Sequence, residues 1–290
     1  MMKPFLNNAT ILITGASSGM GLELSRQLAA EAKKLILLAR RANKLNTVAK
    51  ELKKKYPGLS VHTISCDIAD STILKICCED IKKENGQVDV LINAAGNGHI
   101  NFFEDSAIDE IERMIQVNVN GLTYLTHQFL PSMIQRGYGG ILNYSSFFGL
   151  KTLPAFAAYT GSKHYVTGFT ETLRAEVSGT GVVVSGVYPG PVKSAFWDIP
   201  NAEQMGPPSF LFISIKHCVH ETLKGFRKGK ASIIPGLRMR LFLTFLKFTP
   251  TSIERLINAV MARNLRRKMK TLNKIINPGL SVNKSRCKAI

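Results

Sequence analysis

Cysteines at the spacing of a metal site and long apolar runs are both missing from this chain of 290 residues. The five cysteines are odd in number, and none has the C-x-x-C spacing of a metal site, so we expect reduced thiols and no bound metal. No apolar run approaches the roughly 20 residues that a membrane-spanning helix requires. The first residues, MMKPFLNNATILITG, lack the apolar core of a secretory signal. The sequence therefore predicts an intracellular, cytoplasmic protein without a transmembrane helix.

Acidic residues are scarce in the last quarter of the chain. Residues 1–215 hold 20 Lys and Arg against 18 Asp and Glu, whereas residues 216–290 hold 18 against 2. The formal net charge of +18 at pH 7 therefore lies almost wholly in the C-terminal segment. A charge imbalance of this kind indicates what a segment contacts rather than how it folds.

Short aliphatic runs alternate with longer stretches of helical period along most of the chain. With 45% hydrophobic residues the chain can bury a large core. The alternation predicts an α/β fold, a doubly wound parallel sheet of about seven strands, Rossmann-type, with helices on both faces. We assign this domain to residues 1–236 and a basic, partly amphipathic C-terminal extension to residues 237–290. The strands are expected at 10–14, 35–39, 60–65, 88–93, 140–144 and 182–187, and helices at 19–32, 44–55 and 72–84.

Three glycines follow the first expected strand directly. Gly15, Gly19 and Gly21 are spaced GxxxGxG rather than GxGxxG, and an amphipathic segment begins after them. Glycines here allow a sharp turn and let the backbone approach a pyrophosphate, which a helix N-terminus attracts. The alternative is a tight joint between strand and helix with no ligand.

Two arginines follow the second expected strand, where a site for a ribose 2′-hydroxyl usually has an acid. Arg40 lies nineteen residues beyond Gly21 and is followed by Arg41. A guanidinium can bind a 2′-phosphate bidentately, so this position favours NADPH over NADH. An ordinary basic loop remains the alternative.

Seven short motifs occur in the order and near the spacing of one family, and together they are specific. The chain resembles the short-chain dehydrogenases/reductases over about residues 8–236. The motifs are TGASSGMG (14–21), Cys66-Asp67, NAAG (93–96), VNVNG (117–121), YSS (144–146), YTGSK (159–163) and PGPV (189–192).

The resemblance implies roles for individual residues. Asn118, Ser146, Tyr159 and Lys163 match the family's catalytic tetrad, and Ser146 is chosen over Ser145 because it lies thirteen residues before the tyrosine. Asp67 would contact adenine, and residues 189–192 would close over the nicotinamide. The cofactor site implied in this way consists of Gly15, Ser17, Ser18, Gly19, Met20, Gly21, Arg40, Arg41, Asp67, Ile68, Asn93, Ala94, Ala95, Tyr159, Lys163, Pro189, Gly190 and Val192.

The chemistry of carbonyl reduction explains these residue types. Hydride delivered to a carbonyl carbon leaves charge on the oxygen, so an acid must supply a proton. Lys163 lies one helical turn from Tyr159, and we expect its ammonium to lower the pKa of the phenol from about 10. Ser146 can hold the substrate oxygen by a hydrogen bond. By the family resemblance, Asn118 would position a water that links Lys163 to solvent.

Large apolar side chains are frequent in the loops that follow the expected strands. In this fold such loops determine which substrate binds. They favour an apolar substrate, such as a lipid, steroid, retinoid or acyl-like ketone. The alternative is that these aromatic residues are core or dimer contacts. The candidate pocket residues are Phe148, Phe156, Phe196 and Trp197.

The segment 237–276 is the part least like the family. Ile253, Leu256, Ile257, Val260 and Met261 recur at helical spacing, and arginines prefer the other faces. A basic amphipathic helix is typical of contact with an anionic membrane surface, and an apolar stripe is also typical of a cap over a pocket. We leave both interpretations open and rank nucleic acid last, because no aromatic residues are interleaved with the basic residues of the tail after Pro250.

The sequence thus predicts an oxidoreductase that uses NADP(H) to interconvert a ketone or aldehyde and an alcohol on an apolar substrate. The alternative from another class is a non-catalytic NADP(H)-binding scaffold or a regulator at a membrane surface. Retention of all four tetrad residues favours the enzyme. The family resemblance alone suggests a homo-oligomer.

Overall fold

Nine strands and nine α-helices are found in the part of the chain that the computed structural model describes, residues 6–193, 209–246 and 248–276. The strands are β1 Thr10–Thr14, β2 Lys34–Ala39, β3 Ser60–Ser65, β4 Val90–Asn93, β5 Gly139–Tyr144, β6 Val182–Val187, β7 Val192–Lys193, β8 Ile213–Ser214 and β9 Ser232–Ile233.

The helices alternate with these strands. They are α1 Gly19–Leu28, α2 Ala42–Lys55, α3 Ser71–Asn85, α4 Ile108–Ile115, α5 Leu122–Arg136, α6 Ala157–Glu176, α7 Ile215–Arg227, α8 Leu237–Leu246 and α9 Thr251–Ile276. A π-helical turn, Gln116–Gly121, joins α4 to α5, and 3-10 turns occur at Phe103–Asp105, Phe147–Gly149 and Ser209–Leu211.

Seven of the strands form one sheet in the order β3-β2-β1-β4-β5-β6-β9, and every pair is parallel. The predicted doubly wound sheet of about seven strands is therefore confirmed. The chain winds outward from β1 to β3 and then returns to place β4 beside β1. In open parallel sheets a ligand cleft forms where the strand order reverses in this way.

The central strands are buried on both faces, as their continuous apolar runs predict. Ile11 and Ile13 join the larger cluster of buried side chains, with helix α1, while Leu12 between them joins a second cluster with α3 and α5. Successive strand residues point to opposite faces, so one short run anchors both helical layers. This packing fixes the carboxyl ends of the strands, where the site lies.

The turn from β1 into α1 requires glycine at two positions for different reasons. Gly15 has φ of +70°, the left-handed region that favours glycine. At Gly21 the obstacle is space, since a Cβ there would lie 2.4 Å from the carbonyl oxygen of Gly15. Helix α1 therefore begins in close contact with the preceding turn.

None of the described helices is long and apolar enough to cross a membrane.

We predict that Gly21→Ala destabilises the fold by about 1–3 kcal/mol, because the added methyl group collides with backbone that cannot move aside. The matched control is Gly168→Ala within α6, where a Cβ meets nothing within 4 Å. Alanine has the higher helix propensity, so this variant should gain up to about 1 kcal/mol. Urea denaturation of both variants gives the comparison, and equal midpoints would contradict the packing argument.

Candidate active site

A cleft of about 990 Å³ opens at the carboxyl ends of β1, β2 and β4. All of the predicted cofactor residues from Gly15 to Ala95 line it except Asn93. The lining continues over Gly96–Asn101 and onto α4 and the π-helical turn, where Glu110, Arg113, Met114 and Val117 contribute. The structure thus brings together residues that are widely separated in the sequence. Their shared position is the point where the strand order reverses.

One hydroxyl joins the two backbone segments at the base of the cleft. Thr14 Oγ1 accepts hydrogen bonds from the backbone N–H groups of Ala94, at 3.0 Å, and Ala95, at 2.9 Å. A Cβ on Gly15 would lie 2.9 Å from the Cα of Ala95, so the glycine-rich turn (residues 15–21) and this wall are in direct contact. Thr14 belongs to the TGASSGMG motif, but its role as the link between β1 and β4 was not predicted.

The two arginines after β2 are placed differently. Arg41 reaches back over the glycine-rich turn and donates hydrogen bonds to Ser18 Oγ, at 2.8 Å, and Ser17 Oγ, at 3.2 Å. Arg40 is exposed at the edge of the cleft, and its backbone carbonyl accepts a hydrogen bond from Ser65. The cleft therefore has two cations at the position where a site for a 2′-hydroxyl has a carboxylate.

Asp67 is held by an arginine that the sequence reasoning missed. Its carboxylate accepts a hydrogen bond from Arg113 at 2.5 Å and another from the backbone N–H of Ala69 at 3.1 Å. Burial opposes its ionisation, but these hydrogen bonds and the charges of Arg113 and Arg40 hold its pKa below the usual value. Arg113 precedes Val117 by four residues, so helical spacing alone places both on the side of the helix that lines the cleft.

Asn93 lies behind the cleft rather than in its wall. Its buried side chain donates hydrogen bonds to Asn143 Oδ1, at 2.8 Å, and Thr126 Oγ1, at 3.2 Å. The wall consists of Ala94 and the residues that follow it. The amide of Asn93 therefore ties β4 to β5 and α5.

Tyr159, Lys163 and Ser146 are buried together beyond the cleft. The Lys163 ammonium donates a hydrogen bond to the backbone carbonyl of Tyr144 at 2.9 Å, and its nitrogen lies 5.8 Å from the centre of the Tyr159 ring. Ser145 instead donates to the backbone carbonyl of Lys163 at 2.9 Å. Two hydrogen bonds thus join the end of β5 to helix α6, one donated by Ser145 and one by Lys163.

Burial controls the proton equilibria of this group. It raises the pKa of Tyr159 to about 12, although a hydrogen bond with Ser146 acts in the opposite direction. Burial also lowers the pKa of Lys163 to about 8. The net shift of the Tyr159 pKa is therefore upward, opposite to the lowering expected from Lys163, because loss of hydration on burial dominates it.

Asn118 lies in the π-helical turn and uses its amide to hold backbone. Its Oδ1 accepts from the N–H of Asn97 and its Nδ2 donates to the carbonyl of Asn97, both at 2.9 Å. The same nitrogen donates to Ser162 Oγ at 3.1 Å. A Cβ on Gly96 would lie 3.3 Å from this amide and 3.5 Å from Lys163 Nζ, so the two side chains meet at Gly96.

Aromatic rings surround Tyr159. Phe148 stacks on Phe156 with 4.3 Å between ring centres and meets the ring of Tyr159 edge-on at 5.5 Å. Both phenylalanines are buried, so they pack around the tyrosine and do not line the open cleft. The other two predicted pocket residues, Phe196 and Trp197, lie outside the described residues.

The PGPV segment, residues 189–192, lies between the 3-10 turn Phe147–Gly149 and helix α8. The carbonyl of Pro189 accepts a hydrogen bond from the N–H of Phe147 at 2.9 Å, and Val192 pairs with Ile213. A Cβ on Gly190 would lie 2.3 Å from Met239. These three predicted cofactor residues therefore lie outside the cleft lining, on the side of the site nearest the C-terminal helices.

Comparisons with known proteins identify the family to which the chain belongs. The family model described as short chain dehydrogenase matches residues 9–204, and the chain belongs to that family. Dehydrogenase/reductase SDR family member 7B of Bos taurus is 36% identical over 193 residues, which are 65% of this chain and 59% of that protein. The NADP-dependent 3-hydroxy acid dehydrogenase of Schizosaccharomyces pombe is 37% identical over 193 residues, 66% of this chain and 74% of that protein.

Solved structures show the same fold over nearly the whole chain. A short-chain dehydrogenase from Sphingobium yanoikuyae, in complex with NADPH, superposes with a TM-score of 0.75 at 24% identity, covering 97% of this chain and 98% of that one. The bulky-bulky ketone specific alcohol dehydrogenase from Comamonas testosteroni gives 0.70 at 20% identity, with the same coverage. Matches to the relatives from Bos taurus and Danio rerio span only 59% and 63% of those proteins' lengths.

We predict that replacing Lys163 changes how stability depends on pH. Its pKa is about 8 in the folded protein against an ordinary value of 10.5, so between these values the unfolded chain binds the proton and the folded chain does not. The stability of the wild type should therefore rise with pH in this window relative to Lys163→Met, by at most about 3 kcal/mol. Urea denaturation at several pH values measures the gap between the two proteins, and a constant gap would contradict the lowered pKa.

Proposed function

We propose that this protein is an NADPH-dependent oxidoreductase that interconverts a ketone or aldehyde and an alcohol on an apolar substrate. The observation that carries the proposal is the buried group of Tyr159, Ser146 and Lys163 beside a glycine-walled cleft. Buried titratable groups with perturbed pKa values beside a cleft are typical of catalytic sites.

The residues of the cleft fit NADP(H), which when bound supplies or accepts a hydride. Gly15 and Gly21 leave backbone without side chains at the start of α1, where a pyrophosphate binds in this kind of fold. Arg40 and Arg41 would hold a 2′-phosphate, and Asp67 would take the adenine side. The relative from Schizosaccharomyces pombe is named as NADP-dependent, which supports the same choice of cofactor.

Tyr159 acts as the acid in the reducing direction. With a pKa of about 12 its phenol carries a proton at neutral pH, and transfer of that proton neutralises the oxygen on which charge develops. Ser146 holds the same oxygen by a hydrogen bond. Lys163 is charged below about pH 8, and a positive charge beside Tyr159 stabilises the phenolate that remains. Asn118 positions Asn97 and the adjoining wall.

The apolar surroundings of Tyr159 favour an apolar substrate. Met114, Phe148 and Phe156 form one buried cluster with its ring. A second cluster of Leu211, Met239 and Leu243 packs against Phe147, next to the catalytic serine. A lipid, steroid, retinoid or acyl-like ketone would lose little hydration on entering such surroundings, since its own surface is apolar.

We also propose that residues 237–276 bring this reaction to an anionic membrane surface. Apolar carbonyl compounds concentrate in bilayers, and a basic amphipathic helix binds to the interface of an anionic bilayer.

A non-catalytic NADP(H)-binding scaffold remains the alternative from another class. It requires cofactor binding without turnover, so a kinetic assay separates the two.

We predict that Tyr159→Phe lowers turnover of an apolar ketone by about 100-fold or more, because the proton donor is lost. Oxidation of NADPH by purified protein with a panel of lipid ketones is the readout. The matched control is Tyr165→Phe on the same helix, a 41% exposed tyrosine whose hydroxyl hydrogen-bonds Thr123, and it should leave the rate unchanged. Equal rates in both variants would refute the catalytic role, and a wild type that binds NADPH but reduces no ketone would favour the scaffold.

We predict that Arg40→Ala and Arg41→Ala weaken binding of NADPH by at least about tenfold in combination, while NADH is little affected, because only NADPH carries the 2′-phosphate. Lys44→Ala removes a cation from the start of α2 that does not line the cleft, and it serves as the control. Titration calorimetry of the two cofactors decides the matter. Equal losses for NADPH and NADH would refute the phosphate role of these arginines.

A further inference from the structure

Helix α9 is fastened to the body of the protein by its polar side. Near its start, Glu254 forms an ion pair with Lys151, whose ammonium also donates to the carbonyl of Leu246 at 3.0 Å. One turn later, Asn258 Nδ2 donates to the carbonyl and hydroxyl oxygens of Thr152, at 3.2 and 3.0 Å. Lys151 and Thr152 follow the 3-10 turn Phe147–Gly149, so α9 begins against the loop after β5.

Further along the helix, one arginine reaches the loop after β4. Arg266 forms an ion pair with Glu104 at 2.5 Å, and its guanidinium lies 4.1 Å from the centre of the Phe102 ring. The two loops that α9 contacts are themselves joined, because the N–H of Asn101 donates to the carbonyl of Ala155 at 2.9 Å. Helix α9 therefore lies across both loops that frame the buried tyrosine.

The opposite side of α9 presents apolar side chains to solvent. A residue four positions on lies on the same face of a helix, and residues offset by about half a turn lie on the other. The outward residues have exposed fractions between 38% and 64%. They are Ile253, Leu256, Ile257, Val260 and Met261. A helix of a globular protein normally turns such a stripe inward, so this arrangement is the reverse of the usual one.

Helix α8 exposes a second apolar stripe. Its inward side chains, Met239 and Leu243, are buried against Leu211. Leu237, Leu241 and Phe245 recur every four residues on the other side and are exposed. We call the outward stripes of α8 and α9 together the docking face.

Positive charge accompanies the docking face. Arg263 and Lys268 are exposed. The helical repeat places Arg263 at the edge of the α9 stripe, and Lys268, seven residues after Met261, in line with it. Two copies of the chain meeting through this face would bring together segments that each hold 18 basic and 2 acidic residues. Such copies repel one another, whereas an anionic surface attracts both the charge and the apolar side chains.

We infer that the docking face binds an anionic lipid bilayer, with α8 and α9 at the interface and their apolar stripes among the acyl chains. This inference specifies the membrane contact proposed above. The reason for membrane binding rests on the proposed function, whereas the binding itself does not. Because α9 is fastened to both loops around the site, binding brings the substrate entrance next to the bilayer. An apolar ketone then passes from lipid to Tyr159 with little exposure to water.

The test is co-flotation of the intact protein with vesicles. The wild type should float with vesicles that contain phosphatidylglycerol and at least about tenfold less with pure phosphatidylcholine, and high salt should reduce binding. Leu256→Ser with Ile257→Ser should lose most of the flotation. Ile73→Ser with Ile76→Ser is the matched control, since these isoleucines on α3 are also exposed, at 42% and 54%. This control should float like the wild type.

Light scattering and an assay with a short, water-soluble ketone complete the experiment. Failure of the wild type to bind either vesicle refutes the inference. So does a wild-type oligomer that only the α9 variant disperses, because a second copy then occupies the face. The α9 variant should retain its rate with the soluble ketone. If the wild type and all variants show no turnover while the flotation results are as predicted, the proposed function is refuted and the inference about the docking face stands.

Discussion

A single buried ammonium determines how the region around Tyr159 is arranged. Lys163 donates to the carbonyl of Tyr144, the last residue of β5, and thereby fixes helix α6 against the end of that strand. The backbone of Lys163 is fixed in turn, because its carbonyl accepts from Ser145. Tyr159 lies one turn earlier on the same helix. The position of the tyrosine relative to Ser146 therefore depends on this contact between helix and strand.

The same burial that positions Lys163 makes its charge costly. Its pKa falls to about 8 while that of Tyr159 rises to about 12, so each side chain is shifted toward its neutral form. A protein optimised only for stability would place apolar residues here. A phenol that keeps its proton at neutral pH, beside a cation that can stabilise its anion, has a use in carbonyl reduction. The cost in folding is consistent with a chemical role for the pair.

The sequence predicts the sheet well because its strands are buried on both faces and read as continuous apolar runs. The predicted strand 60–65 agrees with β3, and 182–187 agrees with β6. Helix α1 ends at Leu28 rather than at 32, since no glycine marks its end and composition alone gives no stop. In the site, motif spacing selects Ser146, Tyr159 and Lys163, which the fold buries together. It does not find Arg113, whose partner Asp67 is distant in the sequence. The direction of the Tyr159 pKa shift also escapes it, because burial is a property of the folded chain.

The return of the chain from β3 to β4 has a consequence for how the protein folds. Among neighbours in the sheet, β1 and β4 are the most widely separated in the sequence, with Ile11 paired to Val90. Closing so long a loop costs entropy before any contact repays it, so this pairing is expected among the slow steps of folding. Thr14, which accepts from Ala94 and Ala95, can form its hydrogen bonds only after that step. We therefore expect the cleft to be completed late in folding, where β4 joins β1.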